Sequence, residues 1–281
     1  ASREVRGYDV ILSSSSLFLK ALRKKPGAVH IQYCHTPPRF LWTERDYASR
    51  EVPKVLQFLA FPYLRWMKGW DVRMSNRVDI FIANSREVQK RIREFYGRDS
   101  VVVYPFVNTS FWKPTKPKGG YFLMAGRLVS HKRFELVVEA FNQLGLPLYV
   151  AGRGRIEGKL RSIAKSNIIF KGRVNDEELR DLYSGAIAYL YPQFEDAGIM
   201  PLEAAACGTP TIAADQGGSK ETVLHGVTGM RVAEVSVLSL VQAVKEITSQ
   251  AFEQEKMIRH AHGFSEEKFK EQLLHVVNVY L

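Results

Sequence analysis

The feature that most limits how this chain can fold is a rhythm that starts twice. Up to Asn108, short apolar runs ("DVILS", "AVHIQYC", "DIFIAN", "VVVYP") alternate with helical patterns ("SLFLKALRK", "SREVQKRIREFY"), with a long loop after "AVHIQYC". The segment "TSFWKPTKPKGG" interrupts it. The alternation then resumes with "YFLMAG", "FELVVEAFNQL", "PLYVAG", "IEGKLRSIAK", "NIIFKG", "DEELRDLYSG", "AIAYLYP", "MPLEAAAC" and "TPTIAAD". Repeated strand-then-helix units make a parallel sheet flanked by helices, because parallel neighbours need a long crossover. The reading is an α/β chain of two parallel-sheet domains: residues 1–108, a hinge linker over 109–120, a second domain over 121–263, and a helix over 264–281 that crosses back to the first. Open sheets of this kind bind ligands outside the carboxyl ends of their strands, so the motifs should line a cleft between the domains.

Composition narrows the class. At 281 residues and 46% hydrophobic content the chain can build one large or two medium cores. Its longest apolar stretch, Val55 to Met67, is broken by Gln57, Pro62 and Arg65 and falls short of the roughly 20 residues that span a bilayer. Only Cys34 and Cys207 occur, with no metal-binding spacing, which suits a reducing, cytoplasmic compartment and speaks against structural zinc. "ASREVRGYDV" lacks both a signal core and an initiator Met, and reads as trimmed or processed. The net charge of +11 is uneven: residues 1–108 hold 19 Lys/Arg against 10 Asp/Glu, and residues 109–281 hold 21 against 19. Such an excess could attract nucleic acid, an acidic membrane or a phosphorylated partner, and charge alone does not choose among them.

Two stretches carry the chemistry. In "YFLMAGRLVSHKRFELVVEAF" a strand ends at Gly126 and a helix begins near Arg133, placing Arg127 and Lys132 at the carboxyl end of the sheet. Arg offers a planar fork and Lys a mobile point charge, a combination suited to a diphosphate. A solvated loop with surface cations would read the same way. In "QFEDAGIMPLEAAACGTPTIA" a loop bearing Glu195 leads to a helix expected to start around Met200 to Pro201, with Glu203 in its first turn and Gly208 as its stop. Ala197 and Gly198 would let backbone N–H groups approach a ligand, and a helix N-terminus favours an anion. Alone, Glu203 could be a helix-terminus carboxylate and Glu195 a solvated loop acid.

Together, G-R-L-x-x-x-K followed by two carboxylates with seven residues between them resembles the GT-B glycosyltransferases of the retaining family 4, over nearly the whole chain. The resemblance implies two Rossmann-like domains facing a cleft. It further implies a nucleotide-sugar donor, with Glu195 against the donor sugar, Glu203 on the ribose, Arg127 and Lys132 on the diphosphate, and Gly126, Ala197, Gly198 and Ile199 along it. By the same analogy Arg173 and Val174 of "FKGRVNDEEL" lie near the base and leave GDP versus UDP open. "CHTPPRFLW", "RVDIFIANS" and "VVVYPFVNT" look like a branch of mannosyltransferases that build bacterial surface polysaccharides. His35 would then face the donor sugar as a catalytic group, although a lone His is more often structural.

The implied reaction moves a sugar, mannose from GDP-mannose, onto a growing lipid-linked glycan with retention, by front-face attack in which the leaving phosphate helps deprotonate the acceptor. Preplaced cations take the role of a metal as the diphosphate gains charge. No D-x-D triplet occurs; Glu44 to Asp46 and Asp176 to Glu178 are near-misses, and no metal or other cofactor is expected. The family's opening strand and Gly-rich loop have no counterpart, so the first domain reads as truncated. The rival is a fragment that binds a nucleotide-sugar without turnover.

Other features are weaker. Gly152, Gly154 and Gly158 fit G-x-G-x-x-x-G, one residue too long for a dinucleotide fingerprint. Gly217, Gly218 and Glu221 in "DQGGSKETV" are explained equally by the family or by a tight turn and a helix start. Phe58, Phe61, Tyr63, Trp66 and Trp70, mixed with Arg65, Lys68 and Arg73, suit either an anionic membrane surface on the inner face of the cell membrane or a packed helix with one basic side. No recognised nucleic-acid motif is present, and no nucleic-acid partner is expected.

Overall fold

The computed structural model describes residues 4–5, 7–43 and 54–279, and the side chains of these apart from residues 4 and 54–59. The chain divides into two compact units, Ala1–Tyr104 with Lys270–Leu281, and Pro105–Phe269.

The first unit runs β1 (Glu4–Val5), β2 (Val10–Ser15), β3 (Arg23–Lys24), β4 (Val29–Cys34), α1 (Arg39–Trp42), α2 (Lys54–Ser75), β5 (Ile80–Ala83), α3 (Arg86–Tyr96) and β6 (Ser100–Val102). Strands β2, β4, β5 and β6 pair in that order, all parallel, with Ser15 opposite Cys34 and Cys34 opposite Ala83. Helix α3 has clear limits. The Ser85 hydroxyl accepts from the Val88 N–H at its start, and Gly97 takes a left-handed φ of 64° at its end.

Glu4–Val5 pairs in parallel with Arg23–Lys24 as a separate two-stranded sheet. One expectation fails here. "SLFLKALRK", read as a helix, is a short 3-10 turn over Phe18–Ala21 followed by β3. Its apolar residues Leu17, Phe18 and Leu19 stay exposed, while Lys20 is only 3% exposed and pairs with Asp71 at 2.7 Å. Tyr96 (2.8 Å) and the Trp42 indole (3.0 Å) also donate to that carboxylate. A buried charge must be paired, and that requirement overrode the apolar pattern.

The second unit runs β7 (Tyr121–Ala125), α4 (Phe134–Leu144), β8 (Leu148–Ala151), α5 (Glu157–Ile163), β9 (Ile168–Gly172), α6 (Asp176–Gly185), β10 (Ala186–Tyr191), α7 (Ile199–Ala206), β11 (Thr211–Ala214), α8 (Ser219–Thr222), β12 (Gly229–Val232), α9 (Val237–Ser249) and α10 (Gln254–His262). A last helix, α11 (Glu266–Val279), follows and contains the boundary at Lys270. The six strands are parallel in the order β12-β11-β10-β7-β8-β9. Every residue of β7 is buried. Tyr121, Leu123 and Ala125 join the core on one face, and Phe122 and Met124 the core on the other, as a central parallel strand covered on both sides requires.

The stretch 109–120, read as a hinge linker, groups with the second unit. Trp112 is buried beside Tyr183, with ring centroids 5.7 Å apart. Lys118 donates to the Gly208 carbonyl (3.0 Å) and the Thr209 hydroxyl (2.6 Å), and the Gly119 N–H donates to the Gly185 carbonyl (2.7 Å). The prolines and lysines signalled an irregular path, but the aromatic residues turn it into a strap on the domain. Cys34 and Cys207 are both buried and not joined in a disulfide. No helix of the described residues is long and apolar enough to cross a membrane.

Candidate active site

The carboxyl end of β7 is shaped by main chain pressed on main chain. A Cβ on Gly152 would lie 1.9 Å from the Gly126 carbonyl oxygen, and one on Gly154 would lie 2.1 Å from that of Leu128. The two loops are stitched by Gly126 N–H to Ala151 C=O (2.9 Å) and Leu128 N–H to Arg153 C=O (3.0 Å). The glycines of "GRG" therefore serve loop packing. From Leu128 the chain makes a 3-10 turn over Ser130–Lys132, then Arg133 takes φ 60°, a left-handed conformation that costs a non-glycine residue on the order of 1–2 kcal/mol. Its guanidinium donates to the Pro192 carbonyl at 3.2 Å, tying this loop to the one after β10.

That tie brings two of the expected residues together. The Lys132 ammonium lies 3.3 Å from Glu195 Oε1, with the side chains 16% and 23% exposed. It also sits 3.5 Å from where a Gly126 Cβ would stand. Arg127, expected to act beside it, is exposed and has no ion pair or side-chain hydrogen bond among the described residues.

The loop of Glu195 is fixed from the other side. The Gly218 N–H donates to the Glu195 carbonyl (2.9 Å); a Cβ on Gly217 would reach within 2.4 Å of that oxygen, and one on Gly218 within 2.5 Å of the Ala197 carbonyl carbon. Both glycines of "GGSKE" make room for the 195–197 loop. Ala197 is half-buried, Gly198 buried and Ile199 exposed.

Helix α7 starts at Ile199, one residue before the expected range, because Gly198 at φ 65° is its N-cap. Glu203 is thus the fifth helical residue. It is not in the first turn and cannot be a cap. With a glycine cap there is no side-chain hydrogen bond at this terminus, so its first N–H groups are not capped from that side. Glu203 instead points at Tyr183 of α6, whose hydroxyl donates to Oε2 at 3.3 Å. Burial pushes the Glu203 carboxyl up to about 7; the Tyr183 bond opposes that push and the charge of Asp176 adds to it.

Asp176 links Glu203 to the expected base loop. A groove of about 850 Å³ is lined by Asn108, Phe111, Trp112 and residues 173–178. Arg173 is exposed on it and Val174 half-buried. "DEE" is the first turn of α6, closed by a capping box in which Glu178 N–H donates to Asn175 Oδ1 (2.8 Å) and Asn175 N–H to Glu178 Oε2 (2.9 Å). No cluster of three or more His, Cys, Asp or Glu fit to hold a metal occurs among the described residues. Glu44 to Asp46 lies outside them.

In the first unit His35 follows β4 directly and is exposed. Its Nε2 lies 2.8 Å from the Ser14 hydroxyl, and its ring stands edge-on to Tyr33 with centroids 5.3 Å apart. Ser14 escaped sequence reading because four consecutive serines offer no reason to prefer one. The register of β2 on β4 supplies it. Of the other residues in "HTPPRFLW", Thr36 accepts from buried Arg91 (3.0 Å) and Trp42 donates to Asp71, so both serve packing. On α2, Phe61, Tyr63, Arg65, Trp66 and Arg73 are exposed, while Trp70 packs edge-on to Phe18 and Lys68 sits over Trp42. The Phe58 side chain lies outside the described ones.

Comparison with known proteins now places the chain. Residues 106–263 match "Glycosyl transferases group 1" and residues 1–111 match "Glycosyltransferase Family 4". An O-antigen chain mannosyltransferase of Salmonella typhimurium is 29% identical over 170 residues, 56% of this chain and 47% of that protein. A glycogen synthase of Mycobacterium tuberculosis is 29% identical over 199 residues, 64% of this chain and 47% of that one. Anabaena HepE in complex with UDP shares the fold with a TM-score of 0.72 at 17% identity, over 90% of this chain and 72% of that chain. The chain spans about half the length of the curated relatives it matches. The fold is of the GT-B class, with two Rossmann-like parallel-sheet domains. The chain belongs to the group 1 glycosyl transferases, and is of the family 4 type.

Proposed function

We propose that this chain is a retaining hexosyltransferase that moves mannose from GDP-mannose to a growing, lipid-linked glycan. The observation that carries the reading lies within one unit: the Lys132–Glu195 pair at the carboxyl end of β7, beside the glycine-capped start of α7 and Glu203. A diphosphate finds there a cation and backbone N–H groups, and a ribose finds a carboxylate. As the sugar leaves, charge grows on the diphosphate, and Lys132 and Arg127 favour that transition state over the ground state. Glu195 faces the sugar, Val174 and Arg173 take the base, and His35 contributes from the first unit.

The relatives support the donor and acceptor classes. A Mycolicibacterium smegmatis relative is named as a GDP-mannose-dependent phosphatidylinositol monomannoside mannosyltransferase, and an Anabaena structure of similar fold holds UDP-glucose. In this reading the enzyme works on the cytoplasmic face of the membrane. The exposed aromatic and basic residues of α2 rest on anionic lipid, so binding to anionic vesicles should exceed binding to neutral ones and fall with salt.

Calorimetry with GDP- and UDP-sugars, run beside a transfer and donor-hydrolysis assay in excess EDTA, tests the reading. Binding with transfer in EDTA is expected. A strict need for Mg²⁺ or Mn²⁺ would refute the metal-free part, and binding with neither transfer nor hydrolysis would leave a nucleotide-sugar-binding unit without turnover.

A further inference from the structure

The inner cation of the candidate site is already spoken for. Lys132 lies against Gly126 with its ammonium 3.3 Å from the Glu195 carboxylate, and both are mostly shielded from water. Glu195 is not on a freely moving loop: its carbonyl accepts from Gly218 N–H, and Gly217 and Gly218 wall the main chain from behind. Any anion that reaches Lys132 therefore arrives next to the Glu195 carboxylate. Arg127, by contrast, is exposed.

We propose that the Lys132–Glu195 pair makes this site select a sugar nucleotide over the bare nucleoside diphosphate. The inference rests on the donor reading above. A bare diphosphate can satisfy Lys132 only by adding its charge beside Glu195, and like charges a few ångströms apart repel. A sugar nucleotide brings hydroxyl donors for the carboxylate together with oxygens for the ammonium, so both halves of the pair exchange partners at once. Once the sugar has gone, Glu195 reclaims Lys132 and the product is held less tightly. Glu195 is thereby a specificity-determining residue that senses the sugar through Lys132.

The test is calorimetry at fixed ionic strength with GDP, UDP, GDP-mannose and UDP-glucose on the wild type, Glu195→Gln, Lys132→Ala and the double variant. Glu195→Gln should bind the bare nucleoside diphosphate about tenfold more tightly than wild type and lose most of the preference for the sugar nucleotide. In the Lys132→Ala background the same change should shift that affinity by no more than about twofold. In the wild type, free mannose or glucose should tighten nucleoside diphosphate binding, which decides the matter should a variant fail to fold. A folded Glu195→Gln that binds the bare diphosphate no more tightly, or a hexose without effect on the wild type, overturns the inference and leaves the donor site standing. A wild type that binds neither diphosphate nor sugar nucleotide overturns the donor reading and this inference with it.

Discussion

In the second unit the candidate site is held by main chain against main chain, with Gly152 under Gly126, Gly154 under Leu128, and Gly217 and Gly218 behind Glu195 and Ala197. In the first unit the exposed His35 meets the Ser14 hydroxyl and the edge of Tyr33. The first arrangement tolerates no side chain at those glycines and fixes the main chain from which Lys132 and Glu195 extend. The second is a side chain at the surface, where a hydrogen bond such as that to Ser14 stabilises by only about 0.5–1.5 kcal/mol. A diphosphate needs a rigid cradle because its charge must be met without reorganisation. An exposed imidazole can instead adjust.

The largest effect should come from breaking the cradle. Gly152→Ala places a methyl 1.9 Å from a carbonyl oxygen at φ 133°, and should cost about 3–5 kcal/mol in urea unfolding. Gly158→Ala, with open space around it in α5, should be neutral or slightly stabilising. Equal behaviour of the two variants would mean that close main-chain packing does not hold the cradle. Next comes the charge within the cradle: Lys132→Ala should weaken donor binding by about 1.5–3 kcal/mol, roughly 10- to 150-fold by titration. Arg127→Ala, at an exposed position, should cost only a few-fold.

Glu203 sharpens the contrast through pH. Its folded pKa, about 7, lies above its ordinary value near 4.5, so the folded protein binds the extra proton more readily than the unfolded chain. Stability should therefore fall as pH rises between those values, and Glu203→Gln should flatten the slope and melt higher than wild type at pH 8. Donor affinity of the wild type should rise over the same range as the carboxylate becomes a better acceptor, a rise absent in Glu203→Gln. A smaller effect than that of Lys132→Ala belongs to the first unit: Ser14→Ala should lower turnover by about 2- to 10-fold. His35→Ala should lower turnover more than nucleotide binding, and an unchanged turnover number removes its assignment.

Much of this was written in the order of the residues. The doubled alternation of strand and helix foretold two parallel sheets, and "GRLVSHK" with the spaced carboxylates foretold which loops converge, because each rests on local pattern. What escaped depends on contacts distant in sequence. The start of α7 at Ile199 follows from Gly198 turning left-handed where a side chain would strike Thr222. The failed helix around Lys20 follows from Asp71, some fifty residues away. The partnership of Lys132 with Glu195 needs the bridge from Arg133 to Pro192 across two neighbouring strands.

The strap that brings Trp112 onto Tyr183 and Lys118 onto Thr209 also decides where this protein can be cut. A recombinant half that began at the first strand of its sheet would leave an aromatic socket bare and invite aggregation. One that began at Pro105 would carry its own lid for that socket. The unit that evolution could transplant between glycosyl transferases is therefore longer than its sheet by one leading segment.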